Sequence, residues 1–207
     1  MHRISSDKEY YANGKVVIDA DGIPFEPAAK TYVDQRVPID SFAGTGSPEG
    51  KIAAPVGSIY TDTAATNGAI RWIKTSGTGS TGWRVEYGDT GWRNISDSSV
   101  TPGWSGGCHV RRIGNTVHIR LHQLAANETA TVALVDIPTG FKADNIGSSV
   151  GRYLMHEANQ ESTAWRIYFA GSLLSLSKVP PSTARLYGDV SWNTSEVWPT
   201  SLPGTPA

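Results

Sequence analysis

The sequence predicts an all-β protein, and three observations lead there. Glycine and proline are frequent, at 22 and 12 of 207 residues, and accompany 7 tryptophans and 8 tyrosines, a mixture that suits short strands joined by tight turns. Two stretches in the second half, folded about a two-residue turn, bring their apolar side chains onto one face in register. Only one segment has helical periodicity, and it spans about three turns at most.

Residues 1–27 read as an irregular arm with one hairpin signal, Asn13-Gly14, then the apolar run Val16, Val17 and Ile18 and a turn at Asp21-Gly22. The helical segment falls in residues 28–42, where Ala29, Tyr32, Val33 and Arg36 share one face before Pro38 stops the helix. So short a helix is marginal alone and needs a domain or copies of itself to pack on. Residues 43–50, Ala43-Gly-Thr-Gly-Ser-Pro-Glu-Gly50, read as a linker into a small β-module that ends at residue 88. Its strands are expected at Gly57–Asp62, Ala69–Lys74 and Trp83–Tyr87, with a turn at Asn67-Gly68 and with Trp83, Val85 and Tyr87 on the buried face.

Residues 89–207 are expected to form an antiparallel β-sandwich, jelly-roll-like in character. With Gly114-Asn115 as a two-residue turn, Arg112 faces Val117, Val110 faces Ile119 and Cys108 faces Leu121, while His109, Arg111, His118 and Arg120 line the opposite face. With Gly171-Ser172 as a second turn, Phe169 faces Leu174 and Ile167 faces Leu176. The tail from Trp198 to Ala207 holds three prolines, so it is expected to run extended over the surface.

Bulk composition narrows the partners. With 18 Lys and Arg against 19 Asp and Glu, the chain lacks the basic footprint of non-specific nucleic-acid or anionic-membrane binding. Cys108 is the single cysteine, which rules out an intrachain disulfide and a cysteine-rich metal site. The N-terminus lacks the apolar core of a signal peptide and no stretch is apolar for long enough to span a membrane, so synthesis in a cytoplasm without membrane insertion is expected.

No catalytic, cofactor or metal site is expected. Gly77-Thr-Gly-Ser-Thr-Gly82 has the GxGxxG spacing, but a strand-like stretch follows it, whereas a dinucleotide needs a helix N-terminus there. His118 and His122 are spaced like zinc ligands on a helix; on a strand that spacing is about 13 Å. His2 and His156 have no chemical neighbours in the sequence, and Asp19-Ala-Asp21-Gly22 starts like a calcium loop without its later ligands. The pair Glu157 and Glu161 has the chemistry of a glycosidase dyad, but nothing selects it among the acids. Cys108, on the apolar face of its strand, reads as a small buried hydrophobe.

Binding is the chemistry that remains. A tryptophan offers a flat apolar face and one N–H to a sugar, though more often it fills a core. Trp83 and Trp165 alternate with apolar residues and are assigned to the core, while Trp104 in Pro102-Gly-Trp-Ser-Gly-Gly107 and Trp192 in Ser191-Trp-Asn-Thr194 are candidates for surface contact. His109, Arg111, His118 and Arg120 form the second candidate, a cross-strand group able to bind acidic polymer groups, or carboxylates of a neighbouring chain.

Three stretches also carry a resemblance, which together runs from about Ala28 to the end. Lys30-Thr-Tyr-Val-Asp-Gln-Arg-Val37 resembles a segment that precedes distal domains in bacteriophage tail-fibre proteins. Gly46-Ser-Pro-Glu-Gly50, Ala54-Pro-Val-Gly-Ser-Ile-Tyr-Thr-Asp62, Trp72-Ile-Lys-Thr-Ser-Gly77 and Thr81-Gly-Trp83 look like a repeated module of minor tail proteins in phages of actinobacteria. Ile137-Pro-Thr-Gly-Phe-Lys142 with the Gly171–Leu176 hairpin is similar to fibre-tip domains, with Ala143 where that pattern has proline.

The resemblance implies a virion component, a tail fibre or minor tail protein, built as a homotrimer. Its C-terminal domain would be outermost and residues 28–42 would form a trimeric collar, with residues 1–27 as an arm onto other tail or capsid proteins. Small β-modules gain by threefold association the burial they lack alone. The expected function is recognition of a host cell-envelope glycan. The alternatives are a purely structural fibre or decoration protein and, last, a tail depolymerase.

Overall fold

The computed structural model describes residues 10–12, 15–18, 40–144, 153–157 and 160–207. The chain divides into two compact units, 1–39 and 40–207. In the first, β1 (Tyr10–Ala12) pairs antiparallel with β2 (Lys15–Ile18), with Ala12 opposite Lys15, while the expected turn at Asn13-Gly14 lies outside the described residues. Ala29, Tyr32, Val33 and Arg36, the face of the expected helix, lie outside the described residues.

The second unit is mostly strand. A four-stranded sheet runs β3 (Ser41–Gly44), β4 (Ile59–Asp62), β5 (Ala69–Lys74) and β6 (Trp83–Gly88), with β3 parallel to β4 and the rest antiparallel. Part of the expected linker is therefore strand, and the remainder is tied down by carboxylates. Asp62 accepts hydrogen bonds from the backbone N–H groups of Gly46, Ala64 and Thr66 at 2.9–3.0 Å, and Glu49 accepts from those of Gly82 and Trp83. At Asn67-Gly68 the chain makes a single 3-10 turn, and Gly68, at φ 80°, lies so close to the carbonyl of Asp89 that a Cβ would stand 1.8 Å from its oxygen.

Asp62 supplies a pH prediction. Burial pushes its carboxyl up, but the N–H donors of Gly46, Thr66 and Ala64 outweigh that and hold it below its usual value. A depressed folded-state pKa stabilises the fold above the ordinary value of 3.8 and is lost as pH falls through the folded one. In urea titrations Asp62→Asn is expected to be less stable than the parent at pH 7, and to lose less stability on acidification below about pH 4. Parallel acid curves for the two proteins would contradict this.

Trp83 and Val85 are buried as expected, but Tyr87 is 62% exposed. The reason is a bulge. Arg71 pairs with Tyr87 while the adjacent Trp72 pairs with Val85, so the extra residue on β6 reverses its alternation. Glu86 then meets Arg71 in an exposed ion pair at 2.8 Å.

The nine-stranded antiparallel sheet holds β7 (Arg93–Asn94), β8 (Trp104–Ile113), β9 (Thr116–Ala126), β10 (Ala133–Asp136), β11 (Tyr153–Glu157), β12 (Gln160–Ala170), β13 (Leu173–Leu176), β14 (Leu186–Asn193) and β15 (Thr205–Pro206). Their order is β10-β13-β12-β11-β14-β9-β8-β7-β15. Both predicted hairpin registers are present: Arg112 opposite Val117, Val110 opposite Ile119 and Cys108 opposite Leu121 in one, Phe169 opposite Leu174 and Ile167 opposite Leu176 in the other. A bridge from Val100, in the segment after the helical turn Ser96–Ser99, reaches Val135 on β10. Side chains from the two ends of the sheet, such as Val110 and Leu134, share one hydrophobic cluster.

The tail departs from expectation. Thr205 pairs with Asn94, making β15 the sheet's edge strand, but Trp198 is buried in the core of the four-stranded sheet beside Trp72, Trp83 and Val85. Its indole N–H donates to the carbonyl of Asn67 at 3.0 Å. Pro199 beside it has no N–H to leave unpaired, so an extended strap can cross a core and still carry one large apolar side chain inward.

Candidate functional site

Sequence reasoning pointed first to Trp104 and Trp192, and the structure places both in the core. Trp104 is 8% and Trp192 7% exposed, and their indole N–H groups donate to the carbonyls of Thr131 and Phe141. Flanking glycines gave Trp104 a loop-like sequence setting, but it opens the ten-residue strand β8. Neither ring leaves a face free for a sugar.

The cross-strand group comes together as expected, with His109 opposite Arg120 and Arg111 opposite His118 on the outward side. Carboxylates of the same chain already engage its guanidinium groups. Arg111 binds Asp89 through both Nε, at 2.9 Å, and Nη2, and this bond holds the Asp89 carboxyl below its usual range. Arg120 reaches Asp189 at 3.2 Å and lies over the Trp92 ring, 4.7 Å from its centre. Such exposed pairs contribute little to stability but neutralise the positive face. The intended role of these four residues in binding acidic groups is weakened accordingly. Asp189 pairs with Arg120 across β14 and β9, a long-range register that the sequence alone does not reveal.

Other motifs are structural. Around the GxGxxG loop it is carbonyl oxygens that converge: buried Lys74 donates to Gly79 and Thr81 and stands 5.7 Å from the centre of the Trp83 ring. A phosphate cradle would present N–H groups instead. Cys108 is fully buried, and burial pushes its thiol up to about 12. Among the described residues no three His, Cys, Asp or Glu side chains gather as metal ligands would, and no helix is long and apolar enough to cross a membrane.

A feature that sequence reasoning missed is a cleft of about 590 Å³ in the second unit. It lies where the four-stranded sheet, the β8–β9 turn and the strap of residues 196–200 meet. Trp72, Trp83 and Trp198 line it with Val197, which is 71% exposed, and Lys51, Arg84 and Asn115 add polar groups. The indoles of Trp83, Trp104, Trp192 and Trp198 each donate to a backbone carbonyl. Trp72, on the cleft wall, and Trp165, in the core of the nine-stranded sheet, each have a buried N–H without an acceptor among the described residues, and such a group costs about 1–3 kcal/mol.

No match to this chain is found among protein-family models, curated proteins or solved structures.

Arg112 and Glu196 build the wall of the cleft. Arg112, 3% exposed, donates to the carbonyls of Gly114, Gly140, Glu196 and Val197 at 2.6–3.1 Å and stacks 4.9 Å from the centre of the Trp198 ring. Burial pushes its guanidinium down to about 10, so it stays charged at neutral pH. Glu196 accepts from the N–H groups of Gly140 and Lys142. Gly140 has φ 87°, and a Cβ there would stand 2.9 Å from Pro199. The Ile137-Pro-Thr-Gly-Phe-Lys142 motif is thus the seat on which the strap is held. Its sequence signals were a lone arginine on an apolar strand face and a tryptophan in a proline-rich tail.

Proposed function

We propose that this chain is a phage tail-fibre or minor tail protein whose second unit recognises a host cell-surface glycan, and that the cleft beside Trp198 is the recognition site. The cleft carries the reading. Its volume lies in the usual range for small-molecule sites and suits one or two sugar rings, with an apolar wall and a few convergent polar groups. In the same reading the nine-stranded sheet is the sandwich-like, outermost domain of a homotrimer, residues 28–42 are its collar, and residues 1–27 attach it to the virion. Several such trimers on one particle turn weak single sites into firm adhesion.

Adsorption of the labelled protein to host cells tests this. Asn115 is exposed at the cleft, so Asn115→Trp is expected to block the mouth and lower adsorption about tenfold or more with the thermal midpoint unchanged. Arg120→Ala, remote from the cleft lining, is expected to leave adsorption intact. Undiminished adsorption by Asn115→Trp would remove the cleft from the account. Binding to virion proteins alone would favour a purely structural role.

A further inference from the structure

Resting on that reading, the charge arrangement of the cleft narrows its ligand. Two carboxylates line it, and both are committed: Glu49 to the N–H groups of Gly82 and Trp83, Glu196 to those of Gly140 and Lys142. Fixed N–H donors spread the charge of each carboxylate into the backbone. The cationic groups are not matched in this way. Lys51 and Arg84 are exposed on the lining, and neither forms an ion pair among the described residues. Arg84 makes one hydrogen bond, to the carbonyl of Ser195. Arg112 is buried and donates only to carbonyl oxygens, while the Glu196 and Asp144 carboxylates are near enough to favour its charge without contacting it. Arg84 acts against the Arg112 charge, but by less than Glu196 supports it.

We propose that the cleft takes an anionic saccharide, its acidic group held by Lys51 and Arg84 and its ring set against the exposed Val197. An anion there pairs with the exposed Lys51 and Arg84, in a recess where charges are screened less than on an open surface. Neutral sugars gain no such pairing.

The test uses the full chain on immobilised glycans: galacturonate and hyaluronan oligomers, their carboxyl-reduced neutral counterparts, and phosphorylated saccharides. Binding confined to anionic members and weakened by added salt is expected, with the carboxylate and phosphate arms identifying the acidic group. Lys51→Gln with Arg84→Gln is expected to lower affinity about tenfold or more while the far-ultraviolet spectrum and thermal midpoint stay the same. Equal binding of neutral and anionic forms, blocked by Asn115→Trp, would overturn the charge inference and keep the glycan reading. No binding to any anionic member would overturn the inference. If cell adsorption is also insensitive to Asn115→Trp, the glycan reading falls with it.

Discussion

Trp198→Ala is expected to destabilise the second unit by about 3–5 kcal/mol, the usual range for truncating a buried tryptophan. The side chain is 6% exposed and belongs to the small cluster that includes Tyr60, Trp72, Trp83 and Val85. Few other large side chains are present to fill the space. Truncation also leaves the carbonyl of Asn67 without the indole donor and removes the ring that covers Arg112. In urea the midpoint should fall, and emission from the remaining tryptophans of the four-stranded sheet should shift at lower denaturant than the signal of the nine-stranded sheet. A loss below about 1 kcal/mol, within the range of ordinary surface changes, would show that the strap does not complete this core.

Arg112→Met is expected to cost a similar amount, about 3–5 kcal/mol, because several carbonyls lose their donor together at about 1–3 kcal/mol for each one left buried and unpaired. Its alkyl stem is preserved, but the carbonyls of Gly114, Gly140, Glu196 and Val197 lose their shared donor inside the fold. Arg112→Lys should recover only part of the loss, because an ammonium lacks the planar fork that reaches several carbonyls at once. The arginine and Trp198 are in contact, so the double variant should lose less than the sum of the two single losses. Strict additivity in equilibrium denaturation would argue against a single clasp.

Much of the fold was legible because local rules governed it. The Gly114-Asn115 and Gly171-Ser172 hairpins have the predicted registers, since alternation and a two-residue turn leave one arrangement that gathers the apolar side chains. Tyr87 was misplaced because a bulge is a one-residue event that composition does not announce. Trp104 and Trp192 were candidates for surface contact because glycine, serine and asparagine surround them, but long-range strand pairing decided their burial. The cleft was invisible because its walls join residues more than 100 positions apart, such as Asn67 with Trp198 and Arg84 with Ser195. Even so, Arg112 among valines, isoleucine and cysteine was a signal. A charge on an apolar strand face has to be met by something, and here carbonyl groups meet it.

The late position of Trp198 bears on how the chain matures on the ribosome. Strands β3 to β6 are all translated by residue 88, but the ring that seals their interior lies 110 positions downstream. At about 5–20 residues per second, that interval is on the order of ten seconds. During it the nascent four-stranded sheet exposes the site that Trp198 will fill. A chaperone that shields apolar surface on emerging polypeptides is expected to dwell there until the segment with Trp198 leaves the exit tunnel.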